Sequence, residues 1–277
     1  LQLNKIKICI MATIGGPKIF NDYDLSNMLW YIDTSNPDCW DGSAISSDTK
    51  FYNLAQTDGS EHFYPYTTAE ATVANYELNK SYIERKYGTT GTANTNFRSN
   101  VNKQYFTSAD TGAISAFAFV KGNIGTSTNN QGAQNIYLGG ATGKISFALS
   151  GGGTSQWGGV LIYGYDSGGI EHTYNSSANL LNGTWRSIGW SSATTGGTLT
   201  TKTYVDAVLT KTDTRSVSDT NNNRLPYGTY TSVMGGWSSG YGEFTGKYNN
   251  WMYFNTELDT TDFQQLHNAF KPKFNGL

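Results

Sequence analysis

The sequence predicts an all-β protein, a sandwich of two antiparallel sheets with an N-terminal arm and a short C-terminal helix. Three observations predict it. Charged residues make up only 14% of the 277-residue chain, while Gly reaches 32 and Tyr 19, a composition that favours short strands and tight turns over long helices. Apolar and aromatic residues alternate with polar ones in short runs bounded by Gly, Asn, Ser and Pro clusters, the signature of half-buried strands. Helical spacing is confined to the C-terminus, where Phe263, Leu266 and Phe270 mark one stripe.

Taken in order, Leu1 to Phe20 reads as an arm, because LQLNKIKI alternates like a strand and is cut off by the breaker Gly15-Gly16-Pro17. Such an arm is expected to add a strand to its own sheet or to a neighbouring subunit. Residues 21–277 are expected to form one domain, since sandwiches of about 200–250 residues commonly fold as single units. Met28 to Thr34 (MLWYIDT) is the first strand, and Ser35-Asn36-Pro37-Asp38 turns the chain. Between Tyr52 and Tyr105 the pattern is looser, with aromatic-rich Phe63 to Tyr66 and an alternating Val73 to Tyr87. Phe117, Phe119, Ile136, Tyr137, Leu138, Ile145, Phe147, Leu149, Val160, Ile162 and Tyr163 then mark successive short strands separated by Gly-rich turns.

The stretch from Asn182 to Lys211 is the most informative. Its first strand puts Arg186, Ile188 and Trp190 on one face and Trp185, Ser187 and Gly189 on the other. Thr195-Gly196-Gly197 turns the chain, and the return strand Lys202 to Leu209 alternates Tyr204, Asp206 and Val208 against Val205, Ala207 and Leu209, as in a sheet with one face buried. Tyr248 to Phe254 forms the last long strand, and the helix after it is expected to be capped by Thr260 or Thr261 and ended by Pro272.

Three segments in sequence order resemble the laminin-G-like and concanavalin A-like lectin/glucanase jelly rolls. Asn182-Gly183-Thr184-Trp185 with Tyr204-Val205-Asp206 is similar to the paired "dG-x-W-H" and "Y-V-D-G" strands of that family. Arg186 stands where the His is usual, and Ala207 where the turn Gly is usual. Gly112 to Gly122 (GAISAFAFVKG) and Gly246 to Leu266 resemble the family's "f-t-i-S-a-W-v-k" strand and its closing strand and helix. Trp30 to Pro37 (WYIDTSNP) is similar to the "L-x-L-D-A-x-N-P" phrase that opens jelly rolls of phage tail and capsid proteins. The resemblance implies a jelly roll on a virion, in capsid decoration or a tail fibre, with capsid or other virion proteins as partners and a homo-oligomer or multi-copy assembly. It also implies the possible binding of a glycan. The alternatives it leaves are a free or cell-surface carbohydrate-binding module and a laminarinase-type glycoside hydrolase.

Composition excludes other classes. With Lys+Arg at 19 and Asp+Glu at 21 the net charge is -2, so no basic field exists to hold nucleic acid. No apolar run approaches the roughly 20 residues that cross a bilayer, and the first residues lack an h-region, so neither a membrane helix nor a secretory signal is expected. Cys9 and Cys39 are the only cysteines, which permits at most one bridge and is read as two buried free thiols.

No motif commits the chain to catalysis. Gly236-Trp237-Ser238-Ser239-Gly240 matches a nucleophile elbow by letter, with Asp259 or Asp262 and His267 downstream, but strand-like residues follow where the elbow needs a helix. Glycosidases of the resembled family carry paired carboxylates on one strand, whereas Glu70 and Glu77 stand seven apart, Glu84 stands beside Arg85 and Glu243 has no acidic neighbour. His62, His172 and His267 lack the spacing of a zinc site and are expected on the surface or in loops. Asp33, Asn36 and Asp38 offer oxygens for calcium, yet an Asx turn explains them as well. No cofactor and no metal are expected. Trp157, Tyr163, Tyr165, Trp237 and Tyr241, in or beside Gly-rich loops, are the candidates for stacking on sugar rings or a partner, whereas Trp30, Trp185, Trp190 and Trp251 are assigned to strand packing.

Overall fold

Sixteen strands and one α-helix form among the described residues of the computed structural model, namely 27–43, 45–56, 58–67, 76–79, 82–85, 95–103, 113–123, 134–138, 145–149, 160–165, 171–175, 182–216, 230–234 and 246–274. The expected arm, residues 1–20, lies outside them. The strands are β1 (Met28–Asp33), β2 (Phe51–Tyr52), β3 (His62–Thr67), β4 (Tyr76–Asn79), β5 (Tyr82–Arg85), β6 (Thr95–Lys103), β7 (Ala113–Asn123) and β8 (Gln134–Leu138). They continue as β9 (Ile145–Leu149), β10 (Val160–Tyr165), β11 (Glu171–Asn175), β12 (Asn182–Thr195), β13 (Thr198–Val205), β14 (Val208–Ser216), β15 (Tyr230–Met234) and β16 (Gly246–Phe254), followed by α1 (Thr260–Phe270).

These make two antiparallel sheets of eight strands each. The first runs β14-β13-β12-β7-β16-β5-β4, with β1 paired to the C-terminal half of β16, and the second runs β11-β10-β9-β8-β15-β6-β3-β2. Two-residue alternation divides each sheet into faces. In the second sheet the register links Pro65, Phe97, Met234, Ile136, Phe147 and Ile162 in one row. The adjacent register row links Tyr64, Arg98, Val233, Tyr137, Ser146 and Tyr163. Phe97 is fully buried and belongs to the cluster that joins the sheets, together with Phe51 and Phe63 of the second and Trp30, Ile188, Trp190 and Trp251 of the first. Phe51, Phe63 and Phe97 are therefore the second sheet's contribution to the core between the sheets. Trp30 meets Phe63 edge-on with ring centroids 4.9 Å apart, an arrangement favoured by the ring quadrupoles.

The first sheet departs from the one-sided pattern expected of the Asn182 to Lys211 segment. Both of its faces are buried, because α1 lies across the face turned away from the second sheet. Val205 joins the cluster between the sheets, while Tyr204, Phe117, Phe119 and Met252 join a second cluster with Phe263, Leu266, Phe270 and Phe274. Burial of each such side chain contributes about 1.5–3 kcal/mol. Gly189 is what lets the helix come so close, since a Cβ there would fall inside the Phe263 ring.

Two boundaries also differ from expectation. The return strand does not run through to Leu209; it ends at Val205, and Asp206 and Ala207, with φ of 50° and 64°, form a two-residue turn into β14. Two successive positive φ values suit the twist of a tight hairpin, which is why Gly is usual there. The helix is capped by Asp259 and not by Thr260 or Thr261: its carboxylate accepts the N–H groups of Thr261 (2.7 Å) and Asp262 (3.0 Å), while the Asp262 carboxylate accepts the Asp259 N–H. The threonines fall inside the first turn, where a cap cannot act.

Candidate functional site

A cleft of about 430 Å³ opens where the C-terminal end of α1 meets the outer face of the first sheet. That volume lies within the usual range of small-ligand sites. Its floor is aromatic. Trp185 follows a bulge in β12, at which Gly183 takes a φ of 72°, and sits directly across from Lys121 of β7. Phe274, delivered by the 3-10 turn Lys271–Lys273, stacks on Trp185 at 4.3 Å between centroids and on Phe119 at 4.9 Å. Trp185 remains half-buried, so part of its ring area is open to the cleft.

The polar wall comes from the β13–β14 turn and from α1. The turn presents the Asp206 carboxylate, which accepts the Ser187 N–H at 3.1 Å and forms an ion pair with the Arg186 guanidinium. The Asp206 N–H donates back to the Ser187 carbonyl at 2.9 Å, so the acid is held on both sides. His267 stacks on Phe119, with its Nδ1 2.7 Å from Ser187 Oγ. Burial holds the His267 pKa below its ordinary value; Asp206 acts against this and Lys271 acts with it. At neutral pH the imidazole is therefore uncharged. Lys121 and Lys271 complete the lining, and among the described residues neither side chain has an ion-pair partner.

Ser187, His267 and Asp206 have the residue types of a nucleophile triad without its arrangement. Ser187 is 1% exposed, which puts its hydroxyl out of reach of a substrate, and the Asp206 carboxylate is engaged by Arg186 and the Ser187 backbone instead of by the imidazole. The cleft can hold a ligand, with aromatic area below it, a fixed acceptor on one side and two free cations at the rim.

Of the residues singled out in the sequence, Tyr163 and Tyr165 fall within β10. Trp157, Trp237, Tyr241 and the Gly236 to Gly240 motif lie outside the described residues. Trp30, Trp190 and Trp251 are buried as expected, whereas Trp185 lines the cleft. His267 is on α1 and not in a loop, half-buried in the wall of the cleft. Asn36 accepts the Asp38 N–H at 2.9 Å in an Asx turn, and Asp33 faces Lys273. The strand resemblance singled out the segments of Trp185 and Asp206 but assigned neither residue to a site. Lys121 and Lys271 carried no signal.

No family model and no curated protein matches the chain. Solved structures do match it at the level of fold. A botulinum neurotoxin serotype D binding domain aligns with a TM-score of 0.55 at 11% identity, covering 88% of this chain and 51% of that one. The serotype D ligand binding domain in complex with N-acetylneuraminic acid aligns with a TM-score of 0.53 at 11% identity, covering 88% and 51%. The binding domain of Paraclostridial Mosquitocidal Protein 1 aligns with a TM-score of 0.52 at 12% identity, covering 89% and 53%. The chain thus shares the two-sheet β-sandwich fold of these domains and spans about half the length of the structures it matches.

Proposed function

We propose that the protein is a non-enzymatic glycan-recognition module that binds saccharide in the Trp185 cleft and is displayed in many copies on a phage particle. The observation that carries this reading is the aromatic floor of Trp185 and Phe274 beside the fixed Asp206 carboxylate. Sugar rings present an apolar face that stacks on an indole, while their hydroxyls donate to an oriented carboxylate. The inaccessible Ser187 hydroxyl supports binding without turnover. A structural neighbour solved with N-acetylneuraminic acid supports a saccharide ligand. The particle setting is supported by the resemblance of Trp30 to Pro37 to the opening phrase of phage jelly rolls. On such a particle weak single sites gain strength by avidity.

The test is a glycan array on the full chain and on Trp185→Leu. Bound glycans are expected to lose at least about tenfold in affinity in the variant, as when an aromatic anchor is removed. Unchanged binding would move the site elsewhere. Quantitative mass spectrometry of purified particles tests the setting: a fixed number of copies per particle is expected, and its absence would favour the free or cell-surface module.

A further inference from the structure

Lys121 stands in the interior of the first sheet, where a charged side chain needs a reason. Its cross-strand neighbours are Trp185 on β12 and Lys247 on β16. Two lysines directly opposite each other repel. Lys247 turns to Tyr82, donating to its hydroxyl at 3.0 Å with the ammonium 4.4 Å from the ring centroid. Lys121 faces the cleft instead, and Lys271 reaches the same cleft from the end of α1. The one carboxylate among the described lining residues, Asp206, is already matched by Arg186. Among the described residues two positive charges are left without an ion-pair partner in an aromatic cleft, on a chain whose net charge is -2.

From this we infer that the ligand of the cleft is an acidic saccharide, whose anionic substituent sits between Lys121 and Lys271 while a neighbouring ring packs on Trp185. The inference rests on the glycan-binding reading above. Charge-assisted hydrogen bonds from two ammonium groups select an anion over a hydroxyl in the same place. The uncharged His267 contributes shape and stacking to this wall, so discrimination falls to the lysines. Asp206 stays an acceptor for hydroxyl groups on its own side, which fixes which way round the saccharide lies.

The test is titration calorimetry of the full chain with matched oligosaccharides: a neutral β-glucan hexamer and versions of the same backbone bearing uronate or sulfate groups. The wild-type chain is expected to prefer an acidic version by at least about tenfold. Preference for uronate alone or sulfate alone identifies the anion. The double variant K121Q/K271Q, at two positions whose side chains make no ion pair among the described residues, is expected to erase the preference. Trp185→Leu is expected to weaken every saccharide alike. Equal binding of neutral and acidic versions, or a preference that survives K121Q/K271Q, would overturn the inference while leaving glycan binding intact. Absence of binding by every saccharide would overturn both.

Discussion

The ammonium of Lys273 lies 2.8 Å from Asp33 Oδ2, an ion pair that joins the C-terminal turn to the end of β1 across 240 positions of sequence. The site is closed to water: the Asp33 side chain is 1% exposed and that of Lys273 is 9% exposed. Ser35 and Asn249 also donate to Asp33 Oδ1, and the Tyr31 hydroxyl donates to Oδ2 at 3.2 Å. Burial and the neighbouring Asp33 push the Tyr31 pKa well above its ordinary value, so that hydroxyl stays a donor. Because Phe274 follows Lys273 directly, the pair also sets the floor of the cleft.

Lys273→Met therefore leaves a buried carboxylate without its cation. Breaking a buried pair from one side costs about 3–5 kcal/mol, more than the pair contributes against an apolar replacement. Urea unfolding followed by tryptophan fluorescence should show that loss. Adding Asp33→Asn to Lys273→Met should recover much of it. If the double variant is no more stable than Lys273→Met, the penalty does not come from the orphaned charge.

Gly189→Ala tests how α1 is held. The added methyl would enter the Phe263 ring, so either the helix shifts or the ring leaves its place under Tyr204, whose centroid is 4.2 Å away. Overpacking of this kind costs about 1–3 kcal/mol. Amide exchange should quicken in Thr260 to Phe270 and stay slow in β7 and β12. Uniform quickening across the sheet would mean that the helix does not move independently.

The β13–β14 turn gives a prediction of opposite character. Ala207 holds a φ of 64°, where a β-branched side chain clashes with its own backbone. Ala207→Val should destabilise by about 2 kcal/mol. Ala207→Gly should stay within about 1 kcal/mol of wild type, because relief of strain is offset by chain entropy and by the loss of a buried methyl. The same variant keeps the Asp206 carboxylate in place, so saccharide affinity should follow stability in Ala207→Val and remain unchanged in Ala207→Gly.

The sequence revealed elements where period and chemistry agreed and failed where tertiary packing decided. Alternation in β12 placed Ile188 and Trp190 on one face and Trp185 and Gly189 on the other, and the structure keeps that division. Alternation could not show that a helix covers the second face, because Tyr204 suits a half-exposed strand as well as a buried one. The break at Asp206 was hidden because the residues there are not glycines, and only the resemblance to a Y-V-D-G strand hinted at a turn. The cleft was harder to see. Trp185, Asp206, His267 and Lys121 come from four separate elements, and no local pattern records that the end of α1 brings them together.

His267 predicts how stability follows pH. Its pKa in the fold is lowered, first by burial and then by Lys271, with Asp206 opposing. The unfolded chain thus takes up a proton at His267 near the ordinary value of about 6.5, before the folded chain does. Stability is complete above that value and is lost as pH falls through it towards the lower folded pKa. His62, lowered by burial and by Lys50, adds a second contribution of the same sign. Urea midpoints should fall between about pH 7.5 and 5.5 in the wild-type chain, a window that lies above most carboxylate titration. His267→Gln should reduce that fall and leave the share due to His62. A profile unchanged in His267→Gln would mean that the imidazole is equally easy to protonate folded and unfolded, and that the contacts with Phe119 and Ser187 do not keep it neutral.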